Sequence, residues 1–224
     1  MMRMYARSLE DVRSWPSDPD ASRGLRTYLE SLPADPSGER TSESLLNGWG
    51  LDFSGADLSG LDLLGAELSE AKVDHVRFVG TDLHTAWIAD ASARGADFSQ
   101  SDIRKLQGRG CDARAAKFRE ANLEKADLDG ADLSGADLSG ANLQRSFLAG
   151  ADLRGADLRT CRLNGSSFAK AKVAWCLVEG CRGVIRGPID VGVETTELLS
   201  GEDLNTRFSE RGAPEVKAVI PARS

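Results

Sequence analysis

From position 53 to position 178, every fifth residue of the chain falls in one register, and all of these residues but Gly108 are apolar. The pattern is plainest in Ala126-Asp127-Leu128-Asp129-Gly130, Ala131-Asp132-Leu133-Ser134-Gly135 and Ala136-Asp137-Leu138-Ser139-Gly140, and it runs through 26 positions without an insertion. A spacing of five fits neither the 3.6-residue period of a helix nor the alternation of a flat strand. It predicts a repeat architecture in which each unit buries its apolar side only by stacking on its neighbours.

The other positions of the unit are just as regular. Two before each apolar centre stands a small or apolar residue, as at Ala56, Ala66, Val76, Ala96 and Ala121. The residue just before the centre is mostly charged or an amide, as at Asp52, Asp62, Asp82, Asp97 and Asn142. Glycine often closes the unit, where a corner calls for positive φ. This A(D/N)LxG signature, over residues 51–183, resembles the pentapeptide-repeat family. The resemblance implies an all-β solenoid, a right-handed quadrilateral β-helix with four units per coil. The centre and the residue two before it would face inward.

Residues twenty apart then become vertical neighbours at the ~4.8 Å spacing of paired strands. One inner edge would stack Phe78, Phe98 and Phe118 between Leu58 and Leu138; another would stack Leu63, Leu83, Ile103, Leu123, Leu143 and Leu163. One coil is thin: Ala93, Gly108 and Ala113 occupy centres, while Leu106 is bulky where a small residue is usual. A local bulge or bend is expected there.

Three regions follow. Residues 1–50 form an N-terminal helical cap and linker, residues 51–183 the β-helix, and residues 184–224 a C-terminal β-α-β cap or dimer contact. Leu25, Tyr28, Leu29 and Leu32 make an amphipathic stripe over residues 21–32, started by Asp20 and stopped by Pro33. A shorter helix is expected over 8–15 and a loop over 33–41. Beyond residue 183 a strand over 188–193, a helix over 201–211 between Ser200 and Gly212, and a strand over 215–220 are expected. The family resemblance adds that related proteins often pair through their C-terminal ends.

The composition adds few chemical groups. No apolar run reaches the roughly 18 residues of a membrane span, and the first residues lack a secretory core, so a cytoplasmic protein with no membrane contact is expected. Cys111, Cys161, Cys176 and Cys181 all occupy the inward small-residue position and read as buried free thiols. His75 and His84 lie on different outward positions without a nucleophile beside them. No phosphate-binding loop, dinucleotide fingerprint or zinc-protease motif is present. No enzyme is expected, and no catalytic residue, cofactor or metal site is assigned.

Surface recognition remains. Asp62, Asp82 and Asp102 would stack as an acidic row, with Trp87 and Phe147 pointing outward on the adjacent side; these five are the candidate partner-binding residues. The family resemblance implies a DNA-mimicking protein that binds DNA gyrase or topoisomerase IV and protects it from poisons, giving antibiotic or self-resistance. Against mimicry, residues 51–180 hold 20 acidic and 16 basic side chains in alternating bands, so the solenoid carries only a small part of the charge of a duplex. A protein-interaction scaffold with another partner is the alternative. Direct nucleic-acid binding is not expected of a chain with net charge −7.

Overall fold

The computed structural model describes residues 5–33, 40 and 44–219. Its backbone closes a coil every twenty residues, with parallel bridges from Asn47↔Glu67 through Asp52↔Lys72 and Asp62↔Asp82 to Arg162↔Arg182. Each centre from Phe53 to Val173 donates its N–H to the next coil, as in Phe53 N to Lys72 O at 2.7 Å and Leu58 N to Arg77 O at 2.8 Å. Because only one residue per side is bridged, most of the coil lacks long strands, yet its hydrogen bonding is continuous. The fold is a four-sided solenoid.

Corners fall every five residues and require the left-handed conformation. Gly65 adopts it at φ 67°, and on later coils Lys105, Lys125 and Arg145 hold the same corner at 56°, 61° and 59°. A side chain there costs roughly 1–2 kcal/mol relative to glycine. The stacked ladder imposes that conformation all the same.

The interior is filled as the pattern predicts. Phe78, Phe98 and Phe118 stack with ring centroids 5.0 and 5.1 Å apart. All four cysteines are free and buried, and Cys161 Sγ approaches Leu138 O at 3.0 Å. Other small inward polar residues reach carbonyls of the previous coil, such as Thr81 Oγ1 to Leu58 O at 3.0 Å. The thin coil does not bulge: Trp87↔Gln107↔Asp127 and Ser92↔Asp112↔Asp132 keep register. Leu106 is fully buried, and Ile88 and Leu128 from adjacent coils crowd the space at Gly108, within 3.2 and 3.0 Å of where a Cβ would stand. Neighbouring bulk replaces the missing side chain.

At the N-terminal end, α1 (Pro19–Ser31) buries Ala21, Leu25, Tyr28 and Leu29. It lies on the first coil, where a Cβ on Gly24 would sit 3.8 Å from Leu51. Its cap is Asp18, which accepts from Ala21 N at 2.8 Å with Pro19 at the first helical position. The expected cap, Asp20, instead lies inside the first turn and pairs with Arg23. The helix expected over 8–15 is only a 3₁₀ turn, Leu9–Asp11, stabilised by Ser8 and Asp11. Most of the loop expected over 33–41 lies outside the described residues.

The C-terminal end departs further from expectation. Strands β1 (Ser166–Ser167), β2 (Arg182–Arg186) and β5 (Glu215–Val219) form one parallel sheet in the order β1-β2-β5. Strands β3 (Ile189–Asp190) and β4 (Leu198–Leu199) form a separate antiparallel pair. Between them and β5 runs α2 (Gly201–Glu210), with Ser200 at its cap. The last strand therefore adds to the ladder of the solenoid and does not pair with the strand before the helix. β2 was not expected, because it begins where the five-residue rhythm ends.

Candidate functional site

The repeated aspartates have a local task that precedes any function. Their Oδ1 accepts the N–H two residues on, across the centre: Asp52 from Ser54 at 2.9 Å, Asp132 from Ser134 at 3.0 Å, Asp157 from Arg159 at 3.0 Å. This turn-forming bond explains why the short carboxylate recurs at this place. The second oxygen is mostly taken by arginine. Arg114, Arg154 and Arg159 fold back onto Asp112, Asp152 and Asp157 of their own side. Arg94, Arg109 and Arg119 reach Asp112, Asp127 and Asp137 in the next coil. Arg114 and then Arg94 hold Asp112 down at about 2.

Asp62, Asp82 and Asp102 do stack on one edge, bridged in sequence, but their charges are not displayed equally. Asp62 is only 6% exposed. Arg40 pairs with its Oδ2, and Arg7 Nε approaches the same oxygen at 3.2 Å. Tyr28 adds a hydrogen bond from its hydroxyl to Asp62 O at 2.6 Å. Burial, then the Asp62 charge, pushes the Tyr28 phenol up to about 12. Asp102 is clasped by Arg104 through two hydrogen bonds, 2.7 and 2.6 Å long. Between them, burial and then the charges of Asp102 and Asp62 push Asp82 up to about 6. The row is thus covered at one end, paired at the other, and in the middle holds its proton to higher pH than an ordinary carboxylate.

Trp87 and Phe147 share one column, Glu67–Trp87–Gln107–Asp127–Phe147–Ser167, here called the fourth side. Each is 49% exposed. Three rungs, ~14 Å, separate them. They do not meet the aspartate row, which occupies the preceding side. One corner of the fourth side carries Glu70 and Asp90, and the opposite corner Lys105, Lys125 and Arg145. Trp49, 59% exposed, stands above the acidic corner. It lies outside the five expected residues, although extending the register back by one unit, to Gly48, would have marked it as outward.

Several recesses line the surface. His84, Arg104, Lys105, Glu124 and Lys125 surround one of about 250 Å³. There burial, and then Arg104, lower the His84 imidazole. An apolar recess of about 200 Å³ at the C-terminal end includes Trp175, Val191, Val193 and Phe208 with Arg207 and Arg211. It is smaller than the usual small-molecule site. Among the described residues no three His, Cys, Asp or Glu side chains are placed to hold a metal, and no helix is long and apolar enough to cross a membrane.

A four-sided coil stack built from five-residue units defines a repeat solenoid. The family described as pentapeptide repeats matches in eight copies over residues 50–84, 109–145 and 146–182. The chain belongs to the pentapeptide-repeat family. Among solved structures it is similar to HetL, a pentapeptide repeat protein involved in heterocyst differentiation regulation from the cyanobacterium Nostoc sp. strain PCC 7120. The identity is 23%, the match covers 61% of this chain and 83% of HetL, and the TM-score is 0.38. It is also similar to trypsin-treated QnrB1, a plasmid-mediated fluoroquinolone resistance protein, at 24% identity over 71% of this chain and 84% of QnrB1, TM-score 0.38. A pentapeptide repeat protein of the Arabidopsis thaliana thylakoid lumen matches at 20% identity over 75% of this chain and 81% of its own, TM-score 0.17. No curated protein matches the chain.

Proposed function

We propose that this chain is a non-catalytic recognition rod that binds a partner protein along its fourth side. The observation that carries the reading is the pair Trp87 and Phe147, half-exposed on a column whose other members, Glu67, Gln107, Asp127 and Ser167, are polar. Large aromatics are enriched in interfaces and dominate their energetics. The ladder beneath them is fully hydrogen-bonded, so the two anchors are held at fixed separation before a partner arrives.

The reading drawn from the family resemblance, imitation of DNA against gyrase or topoisomerase IV, stands second. It is favoured by the stacking of Asp62, Asp82 and Asp102. It is weakened because Arg7, Arg40 and Arg104 occupy two of those carboxylates. A duplex presents about one uncompensated charge per 1.7 Å of axis. Pairing of two copies through the C-terminal end also belongs to this proposal, supported by the outer position of β5 and by exposed Trp175, Leu177 and Leu198.

The test is affinity capture followed by direct binding to the purified partner, run beside gyrase supercoiling and quinolone-cleavage assays. The double variant Trp87→Ala, Phe147→Ala is expected to weaken partner binding at least ~10-fold. Its unfolding free energy should stay within about 0.5 kcal/mol of the parent's. Protection of gyrase that survives this variant and disappears on charge reversal of Asp82 and Asp102 would replace the proposal with DNA imitation.

A further inference from the structure

Counting the Asp52–Lys72 column as the first side, the Asp57–Arg77 column as the second and the Asp62–Asp82 column as the third, almost every cation on the first two sides has a carboxylate partner, but most of those on one edge do not. Lys72, Arg77, Arg94, Arg114, Lys117, Arg119, Arg154 and Arg159 all form ion pairs. The corner between the third and fourth sides carries Lys105, Lys125 and Arg145, each twenty residues from the next and all exposed. Arg162 and Arg182 continue the line on the third side, bridged to each other. Among the described residues, the ion pairs of these five reduce to Lys125 with its neighbour Glu124 at 3.9 Å. With its amide oxygen turned toward Arg162, Gln144 accepts from Nε at 3.2 Å and Nη2 at 2.9 Å, which orients that guanidinium without neutralising it. Glu215 stands opposite Arg182 in the β2–β5 register. Asp102 and Asp127, which flank the corner, are already held by Arg104 and Arg109, so Glu124 and Glu215 are set against five cations and the edge is positive on a chain whose net charge is −7.

We propose that this edge is a docking rail for an acidic amphipathic α-helix of a partner protein. The spacing favours that occupant. Successive cations of a column rise ~4.8 Å per rung, and a helix lying along the rod offers one carboxylate per 5.4 Å turn. Over the four rungs from Lys105 to Arg182 the mismatch accumulates to ~2–3 Å, within the reach of long, flexible side chains. Phe147 lies two residues from Arg145 on the same coil, so an apolar stripe beside the acidic one would cover its ring. A single nucleic-acid strand fits less well. It needs a succession of stacking rings along the cationic track, and the rail has only Phe147 at its side, with Trp87 one rung above its start.

The inference rests on reading the fourth side as a protein-binding surface, and the experiment separates the two. The probe is a fluorescein-labelled peptide of about 20 residues, helical, with one Glu per turn and a neighbouring leucine stripe, titrated with the full chain at low ionic strength and followed by anisotropy. Comparators are the same peptide with Lys for Glu, and an oligothymidylate of similar length. The acidic peptide is expected to bind saturably and the Lys peptide not at all. The triple variant Lys105→Gln, Lys125→Gln, Arg145→Gln should weaken binding at least ~10-fold, whereas Arg154→Gln with Arg159→Gln changes it less than about twofold. All of these side chains are on the surface, and circular dichroism checks that the coils are retained. Absence of peptide binding, equal losses in the two variants, or tighter binding of the oligothymidylate would overturn the rail. Peptide binding that persists in Trp87→Ala, Phe147→Ala while the triple variant loses it would uphold the rail and count against the aromatic anchors.

Discussion

Asp82 sits between two carboxylates whose charges are already balanced, and it is the one left under strain. Burial is the main reason its carboxyl is pushed up to about 6, with Asp102 and Asp62 adding repulsion. The folded state therefore holds this proton above the ordinary carboxylate value, while the unfolded chain releases it near 4. Stability from this group is greatest below about pH 4, falls as pH rises toward 6, and is then level. Asp82→Asn keeps the oxygen that accepts from His84 N and removes the charge. It is expected to stabilise the protein at neutral pH by about 1 kcal/mol, allowing for solvent screening, and to leave stability unchanged near pH 4. Urea unfolding at both pH values measures this; equal effects at the two would refute the assignment. The stacking of Asp62 with Asp82 could be read from their twenty-residue separation. The charge state could not, because Arg7 and Arg40 come from segments with no periodicity to say where they land.

Among the elements, the phenylalanine ladder is the clearest case of sequence becoming structure. Phe78, Phe98 and Phe118 have one spacing, one inner edge and nearly parallel rings. Phe98→Ala removes the central ring of the three and opens a cavity between two coils that the ladder prevents from collapsing. The expected cost is about 3–5 kcal/mol by chemical denaturation; a loss below about 1 kcal/mol would mean that the coils can close together. The thin coil shows the limit of the same reading. Counting bulk at single positions suggested a bulge at Gly108, but packing is shared vertically, and Ile88 and Leu128 take up the room. The C-terminal elements were legible one at a time and illegible as a sheet. The parallel pairing of β5 with β2 joins residues 33 apart in sequence, and no repeat connects them.

At the scale of the molecule, contacts run from each coil to the next, with α1 at one end and β5 added at the other. An unbroken register of this kind gives the rod an angular phase as well as a length. Each five-residue unit advances the chain by a quarter of a revolution, so the bearing of every side chain below a given point depends on the number of units above it. Inserting one extra Ala-Asp-Leu-Ser-Gly after Gly135 should leave the coils stacked, yet turn Phe147 and Arg145 a quarter-circle away from Trp87 and Lys105. Inserting four such units should restore their bearing and lengthen the gap by one ~4.8 Å rung. Partner affinity, measured across insertions of one to four units with circular dichroism to confirm folding, is expected to fall sharply and recover in part at the fourth. Affinity unchanged across the series would mean that the partner reads one patch alone. The solenoid is in that sense a screw thread, along which length and direction can be altered separately.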